Sequence, residues 1–462
     1  MVSAMEVLRD LLPQFVTVQT IERTTTLLRG CRSAAEISVR IEAAVRGGRL
    51  GPGDRLPTVR ALATELRLSP TTVAAAYNDL RRKGIVSGAG RAGTRVTARP
   101  PLPVMSEPMP ADVRDLATGN PDVRLLPPIA AALRHLEARS HLYGDPADRD
   151  DLRTSFAREF ATDGIAAPVL TIVSGALDGV ERVLQAHVLP GDAVAVEDPG
   201  YSGVLDLVRA LGLIPRPVGV DDHGPLPDHL EHALRTGARA AIFTPRAQNP
   251  TGAAFTPRRV RELRRVLRDH PDTLVIEDDH AGPVAGAPAY SVTSADWPRW
   301  SVIRSVSKSL GPDLRLALLA GDVTTVARVE GRRLVGAGWV SGILQSLVLH
   351  LRADPATRRL LAQAERSYAR RRATLLRALA THGIAGRGRS GLNVWVPVAE
   401  EAAIVQGLLA RGWAVRAGER YRVGSPPAVR ITTAALETDD AKRLAADLAS
   451  LVVPRGRRTR SA

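Results

Sequence analysis

The chain has 462 residues, 44% of them hydrophobic, and 63 lysines and arginines against 48 acids give a formal net charge of +15. That length suits two or more domains with a large buried core, and no apolar run approaches the roughly 18 residues of a membrane span. The single cysteine, Cys31, excludes an intramolecular disulfide framework and fits a reducing cytoplasm, while the charge favours a polyanionic partner such as DNA.

Residues 1–32 show no clear periodicity and receive no assignment. Glu6, Arg9, Asp10 and Glu22 interrupt their apolar residues, so a secretory apolar core is not expected. Residues 33–96 read as a compact block of short helices ending in a glycine-rich hairpin. Ile37, Ile41 and Val45 recur at helical spacing until Gly51-Pro52-Gly53 stops the helix. A second helix follows Leu56-Pro57, with Val59, Leu62 and Leu66 on one face. The third begins at Ser69-Pro70, an N-cap with proline at the first helical position. Its apolar face, Val73, Tyr77 and Leu80, leaves Thr71, Thr72, Ala75 and Asn78 turned outward. Ile85-Val86 and the Gly88–Val96 segment then predict a two-stranded wing with a basic tip. Helix–turn–helix plus wing is a shape that places one helix in the major groove of DNA.

This block resembles the winged helix of GntR-type regulators. The resemblance is carried by Gly51-Pro52-Gly53-Asp54-Arg55-Leu56-Pro57-Thr58-Val59-Arg60, by Ser69-Pro70-Thr71-Thr72-Val73 and by Arg91-Ala92-Gly93-Thr94. It implies that Arg60, Ser69, Thr71, Thr72 and Arg91 contact a double-stranded operator. Two positions depart from the pattern: Pro70 stands where arginine is common, and Ala74 where a basic residue is frequent.

Residues 97–114, with five prolines, read as a semi-rigid linker. Over residues 115–453, apolar runs alternate with helical stretches: Leu170–Val173, Ala193–Val196, Ala240–Phe243, Leu274–Ile276, Val302–Ile303 and Leu316–Ala320. That alternation predicts an α/β domain with a largely parallel sheet, whose ligands collect at strand carboxyl ends. Residues 454–462 form a basic tail.

The candidate chemistry centres on Lys308 in Ser305-Val306-Ser307-Lys308-Ser309, followed by Arg315. The chain builds its positive charge from arginine, and its only other lysines are Lys83 and Lys442. A lysine amine deprotonates and attacks a carbonyl, whereas a guanidinium does not. The pattern therefore suggests an imine to pyridoxal phosphate, with Ser305, Ser307 and Arg315 on the phosphate. A carboxylate must keep the ring nitrogen protonated, and Asp278 in Glu277-Asp278-Asp279-His280 is the candidate. Asn249, in Gln248-Asn249-Pro250, would reach the phenolic oxygen, and Tyr201 would cover the ring. Ser174, Gly175 and Ala176 open a helix whose N–H groups suit a phosphate. Arg430 is the candidate to take a substrate carboxylate in bidentate fashion.

In this order, together with Gly119-Asn120-Pro121-Asp122 and Tyr143-Gly144-Asp145-Pro146, these motifs resemble fold-type I aminotransferases from Asp115 to about Leu451. Relatives usually carry tyrosine at His280, where it donates to the phenolic oxygen. A histidine there is expected to titrate near neutrality, and transamination is expected to be slow or absent. Winged helix, linker and aminotransferase-like domain together resemble MocR-type transcriptional regulators, a GntR subfamily. The resemblance implies a cytoplasmic homodimer that senses an amine, an amino acid or pyridoxal phosphate itself. The rival is an active aminotransferase with a vestigial winged helix.

Overall fold

The computed structural model describes residues 24–51, 53–82, 85–87, 93–96, 113–136 and 141–452. The chain divides into two compact units, Met1–Pro108 and Met109–Ala462. In the first, α1 (Ala34–Arg46), α2 (Val59–Leu66) and α3 (Pro70–Arg82) precede an antiparallel pair, β1 (Val86–Ser87) and β2 (Arg95–Val96). Each helix starts at a hydroxyl that accepts an otherwise orphaned N–H: Ser33 from Glu36 at 3.2 Å, Thr58 from Ala61 at 3.2 Å, Ser69 from Thr72 at 3.1 Å. Ile37, Ile41, Leu62, Val73, Tyr77 and Leu80 are fully buried together, with Val86 and Val96 closing the core. Leu28 and Cys31, ahead of residue 33, join that core. The Arg91 tip and residues 97–112 of the linker lie outside the described residues.

The second unit opens with β3 (Arg114–Asp115), which pairs in parallel with Trp413–Ala414. Arg114, placed in the linker by sequence, is therefore the first paired residue of this unit. The main sheet contains β4 (Val169–Val173), β5 (Ala193–Asp198), β6 (Ile214–Asp221), β7 (Gly224–Pro225), β8 (Ala238–Phe243), β9 (Leu274–Asp279), β10 (Trp300–Ser305) and β11 (Ala317–Gly321). Their order is β4-β11-β10-β9-β8-β5-β6-β7. β10, β9, β8, β5 and β6 run parallel, and β11 lies antiparallel between β10 and β4. The hairpin strand β7 and most of β6 escape the apolar-run criterion, because β6 carries two prolines and exposed positions. Both faces of the sheet are covered, with successive residues alternating between two cores: Val275 on one side, Leu274 and Ile276 on the other.

A smaller antiparallel sheet has the order β12 (Asn393–Pro397), β15 (Ala428–Thr432), β14 (Arg416–Ala417), with β13 (Trp413–Ala414) joined to β3. It packs with the long helix Pro355–Thr381 and the helix Thr438–Val452 around Leu375, Val394, Ile431 and Leu444. Arg430 lies in the middle of β15. It does not follow a strand of the main sheet, as the apolar runs had suggested.

Candidate functional site

Topology makes the site. Because β11 is antiparallel to both neighbours, β4 points the same way as β10, β9, β8 and β5. Their carboxyl ends share one edge, and that edge delivers Ser174-Gly175, Lys308, Asp278 with His280, Asn249 and Tyr201. β11 starts from the same edge, so Arg315 arrives there too.

Along β9, side chains alternate. Glu277 accepts from Ser291 Oγ at 2.6 Å and Val292 N–H at 2.7 Å. Asp279 accepts a bidentate pair from Arg246, at 2.9 Å each, and a 2.7 Å bond from Arg304. Asp278 faces the other way, buried, and its Oδ1 has no hydrogen-bond partner among the described residues. Burial, then the Asp279 and Glu197 carboxylates, push its pKa up to about 7. A buried acid without a donor fits a cation or an N–H.

The half-buried Lys308 amine donates to Gly119 O at 2.8 Å. Burial and the Arg430 charge lower its pKa to about 8, which brings the nucleophilic amine within reach of neutral pH. Gly119 is also where Arg430 comes close: a Cβ there would lie 3.3 Å from the guanidinium. Arg430, 3% exposed, donates to Ala117 O and, at 3.1 Å, to Asn249 Oδ1, while its Nε has no partner among the described residues. The Tyr421 ring lies 5.0 Å from its guanidinium. Burial raises the Tyr201 hydroxyl pKa, followed by the effect of Asp278, so Tyr201 stands near that carboxylate.

The phosphate candidates converge as well. Gly175 caps the helix Ala176–His187 at φ 104°, and a Cβ there would meet Arg315 Nη2 at 2.9 Å. Only glycine lets the guanidinium lie over this helix start, where it donates to Ser174 O at 3.2 Å. The Ser174 N–H donates to Asp178 at 2.9 Å, fixing the turn, and Ala176 begins the helix. Ser305 Oγ and Ser307 Oγ bond to each other at 2.9 Å.

His280 departs from expectation. Burial first, then the Lys308 charge, push its pKa down to about 4, so it is neutral at pH 7 and does not titrate near neutrality.

The buried support was not legible in sequence. Arg304, 1% exposed, joins Asp279, Glu159 (2.9 Å) and Asp163 (2.7 Å), with its guanidinium 4.6 Å from the Phe160 ring. Together with Arg246 it holds Asp279, and so the end of β9. An arginine at the end of the Val302–Ile303 run, immediately before the Ser305–Ser307 turn, was the available signal.

In the first unit Arg60, Ser69 and Thr71 are exposed and Thr72 is half-buried. Ser69 and Thr72 hydroxyls also bond to each other at 2.8 Å, so both serve the helix start as well as facing outward.

Comparison with known proteins matches residues 33–96 to the gntR family of bacterial regulatory proteins and residues 111–448 to aminotransferase class I and II. The chain belongs to the MocR-type GntR regulators. This regulator is 40% identical to the vitamin B6 salvage pathway transcriptional repressor PtsJ of Salmonella typhimurium, over 90% of the chain and 98% of that relative. It is 28% identical to the pyridoxine biosynthesis transcriptional regulator PdxR of Corynebacterium glutamicum, over 73% and 76%. Its fold is shared by Pyrococcus horikoshii kynurenine aminotransferase, with TM-score 0.68 and 20% identity over 74% of this chain and 91% of that one. It is shared too by the aminotransferase LysN of Thermus thermophilus, at 0.66 and 21% over 74% and 92%. A DNA-binding transcription regulator, rather than a free-standing aminotransferase, is what this combination of domains makes.

Proposed function

We propose that this regulator represses transcription in response to pyridoxal phosphate, which it holds on Lys308. The observation that carries the reading is that one sheet edge bears the orphaned, buried Asp278 carboxylate, a lysine amine of lowered pKa and a glycine–arginine pair fit for a phosphate. When bound, the cofactor supplies an aldehyde that captures amines and a ring that draws electrons once its nitrogen is protonated. Asp278 would hold the proton on that nitrogen, and Asn249 and His280 would face the phenolic oxygen. Tyr201 would cover the ring, while Arg315, Ser174, Gly175, Ala176, Ser305 and Ser307 would grip the phosphate. The printed functions of the two relatives, both concerned with vitamin B6, support pyridoxal phosphate as the effector.

Partnership with a second copy fits the surface: Tyr143 is 94% and Leu142 68% exposed, and Tyr143 meets Trp339 edge-on, 5.5 Å between ring centres. A cytoplasmic homodimer bound to a double-stranded operator is therefore part of the proposal. The unpartnered Nε of Arg430 favours one further reading, an amino-acid effector engaging its carboxylate there.

The test begins with an operator selected by the purified protein from genomic fragments. Titration with pyridoxal phosphate should shift operator affinity by ~1–3 kcal/mol, the usual size of such coupling. Pyridoxine, which lacks both aldehyde and phosphate, should not. Borohydride should trap the visible band on Lys308, and Lys308→Ala should lose band and response. Rapid transamination with unchanged DNA affinity would refute the regulator reading.

A further inference from the structure

We propose that Asp198 is a positioning residue that clips the β14–β15 loop to the cofactor edge and thereby favours amines bearing a carboxylate over bare amines. The proposal rests on the reading of Arg430 as a carboxylate receptor. Asp198 ends β5, is 6% exposed, and both its oxygens are used. Oδ1 accepts from Val423 N–H at 3.0 Å and from Ser425 Oγ at 2.8 Å. Oδ2 accepts from Gly424 N–H at 2.8 Å and Ser425 N–H at 2.9 Å. Three successive backbone N–H groups converging on one anion form a nest, and bonds to a charged acceptor are stronger than neutral ones.

The loop has few other attachments. Val423, Gly424, Pro426 and Pro427 are exposed. Gly200 N–H donates to Tyr421 O at 2.8 Å, and Arg422 pairs with Glu401 at 2.9 Å. Tyr421, at the loop's start, packs edge-on against Trp395 and lies next to the Arg430 guanidinium. The loop then runs directly into β15, where Arg430 is the third residue. On the sheet side, Asp198 stands three residues before Tyr201. One carboxylate therefore ties the segment that aims Arg430 to the segment that carries the ring cover. Lys308, Asp278 and Arg315 make no hydrogen bond with this loop among the described residues, so amine capture does not depend on it.

Asp198→Asn keeps the size, removes the charge and turns one acceptor into a donor facing N–H groups. Full-length Asp198→Asn and Ser425→Ala proteins, loaded with pyridoxal phosphate, would be titrated with L-alanine and with ethylamine, its carboxylate-free counterpart, following the visible spectrum. Both variants should keep the Lys308 band. Asp198→Asn should respond to L-alanine about tenfold more weakly and to ethylamine within about twofold of wild type, with Ser425→Ala shifted less in the same direction. In the unloaded proteins, hydrogen exchange of the Val423–Ser425 amides should be slow in wild type and fast in Asp198→Asn. Equal weakening towards both amines, or an unchanged L-alanine response, would overturn the clip while leaving the cofactor reading intact. A wild-type protein indifferent to the carboxylate would overturn Arg430's role and the clip with it.

Discussion

A buried carboxylate with no donor before it destabilises the protein that holds it unless it is protonated. Asp278 is in that position, its pKa raised from 3.8 to about 7. Between those values the folded chain holds more protons than the unfolded one, so stability falls as pH rises through the window, and the whole penalty stands above about pH 7. Asp278→Asn should therefore raise the melting temperature of the cofactor-free protein at pH 8, with the gain shrinking towards pH 4. About 4 kcal/mol is the ceiling, from 1.36 kcal/mol per pKa unit. The same variant should bind pyridoxal phosphate more weakly. A cofactor-free variant no more stable than wild type at pH 8 would contradict the placement. Lys308 gives a second pH signature. Only the neutral amine attacks, so the rate of cofactor capture should climb with pH to a plateau above about 8 and fall roughly tenfold per unit below it. Stopped-flow absorbance at several pH values measures this directly.

At the scale of elements, the start of the Ala176–His187 helix and Arg315, two residues before β11, are two halves of one device. Gly175 at φ 104° leaves the space that Arg315 occupies. Gly175→Ala would strain the backbone and push the guanidinium aside, so pyridoxal phosphate should bind at least about tenfold more weakly. Pyridoxal, which lacks the phosphate, should be captured as before; equal losses for both would mean a general distortion of the edge. The sequence showed a strand, a Ser-Gly turn and a helix here, because apolar runs and glycine are local signals. It did not show that Arg315 would lie over that turn, since the two meet only when β11 inserts between β4 and β10.

For the whole molecule, the charge of +15 and the exposed Arg60 of the first unit lead to an expectation about DNA binding. Arg60→Ala should weaken operator binding at all sequences and reduce the slope of log affinity against log salt by about one unit. An unchanged slope, measured by fluorescence anisotropy across a salt series, would show that Arg60 meets no phosphate. The winged helix was readable from its caps, its 3.6-residue periodicity and its Gly-Pro-Gly stop, all properties of neighbouring residues. That Leu28 and Cys31, ahead of residue 33, also reach this core was not readable, because packing and the bonds from Arg40 to the Leu27 and Arg29 carbonyls tie them there.

By itself the sequence marked the two units, a helix–turn–helix pattern and the candidate cofactor contacts proposed above. Each is marked by a residue type that its chemistry requires: a nucleophilic lysine in an arginine-built chain, a carboxylate, glycines at tight turns. Tertiary structure decided the rest. His280 reads as a group that titrates near neutrality, but burial beside the Lys308 charge lowers its pKa to about 4, an effect no neighbouring residue announces. Arg430 comes from a separate small sheet, and Asp198, Arg304 and Asp279 act through partners far along the chain. Such partners meet only after the sheets have formed, because desolvation and long-range ion pairing depend on what surrounds a residue in space rather than on what flanks it in sequence.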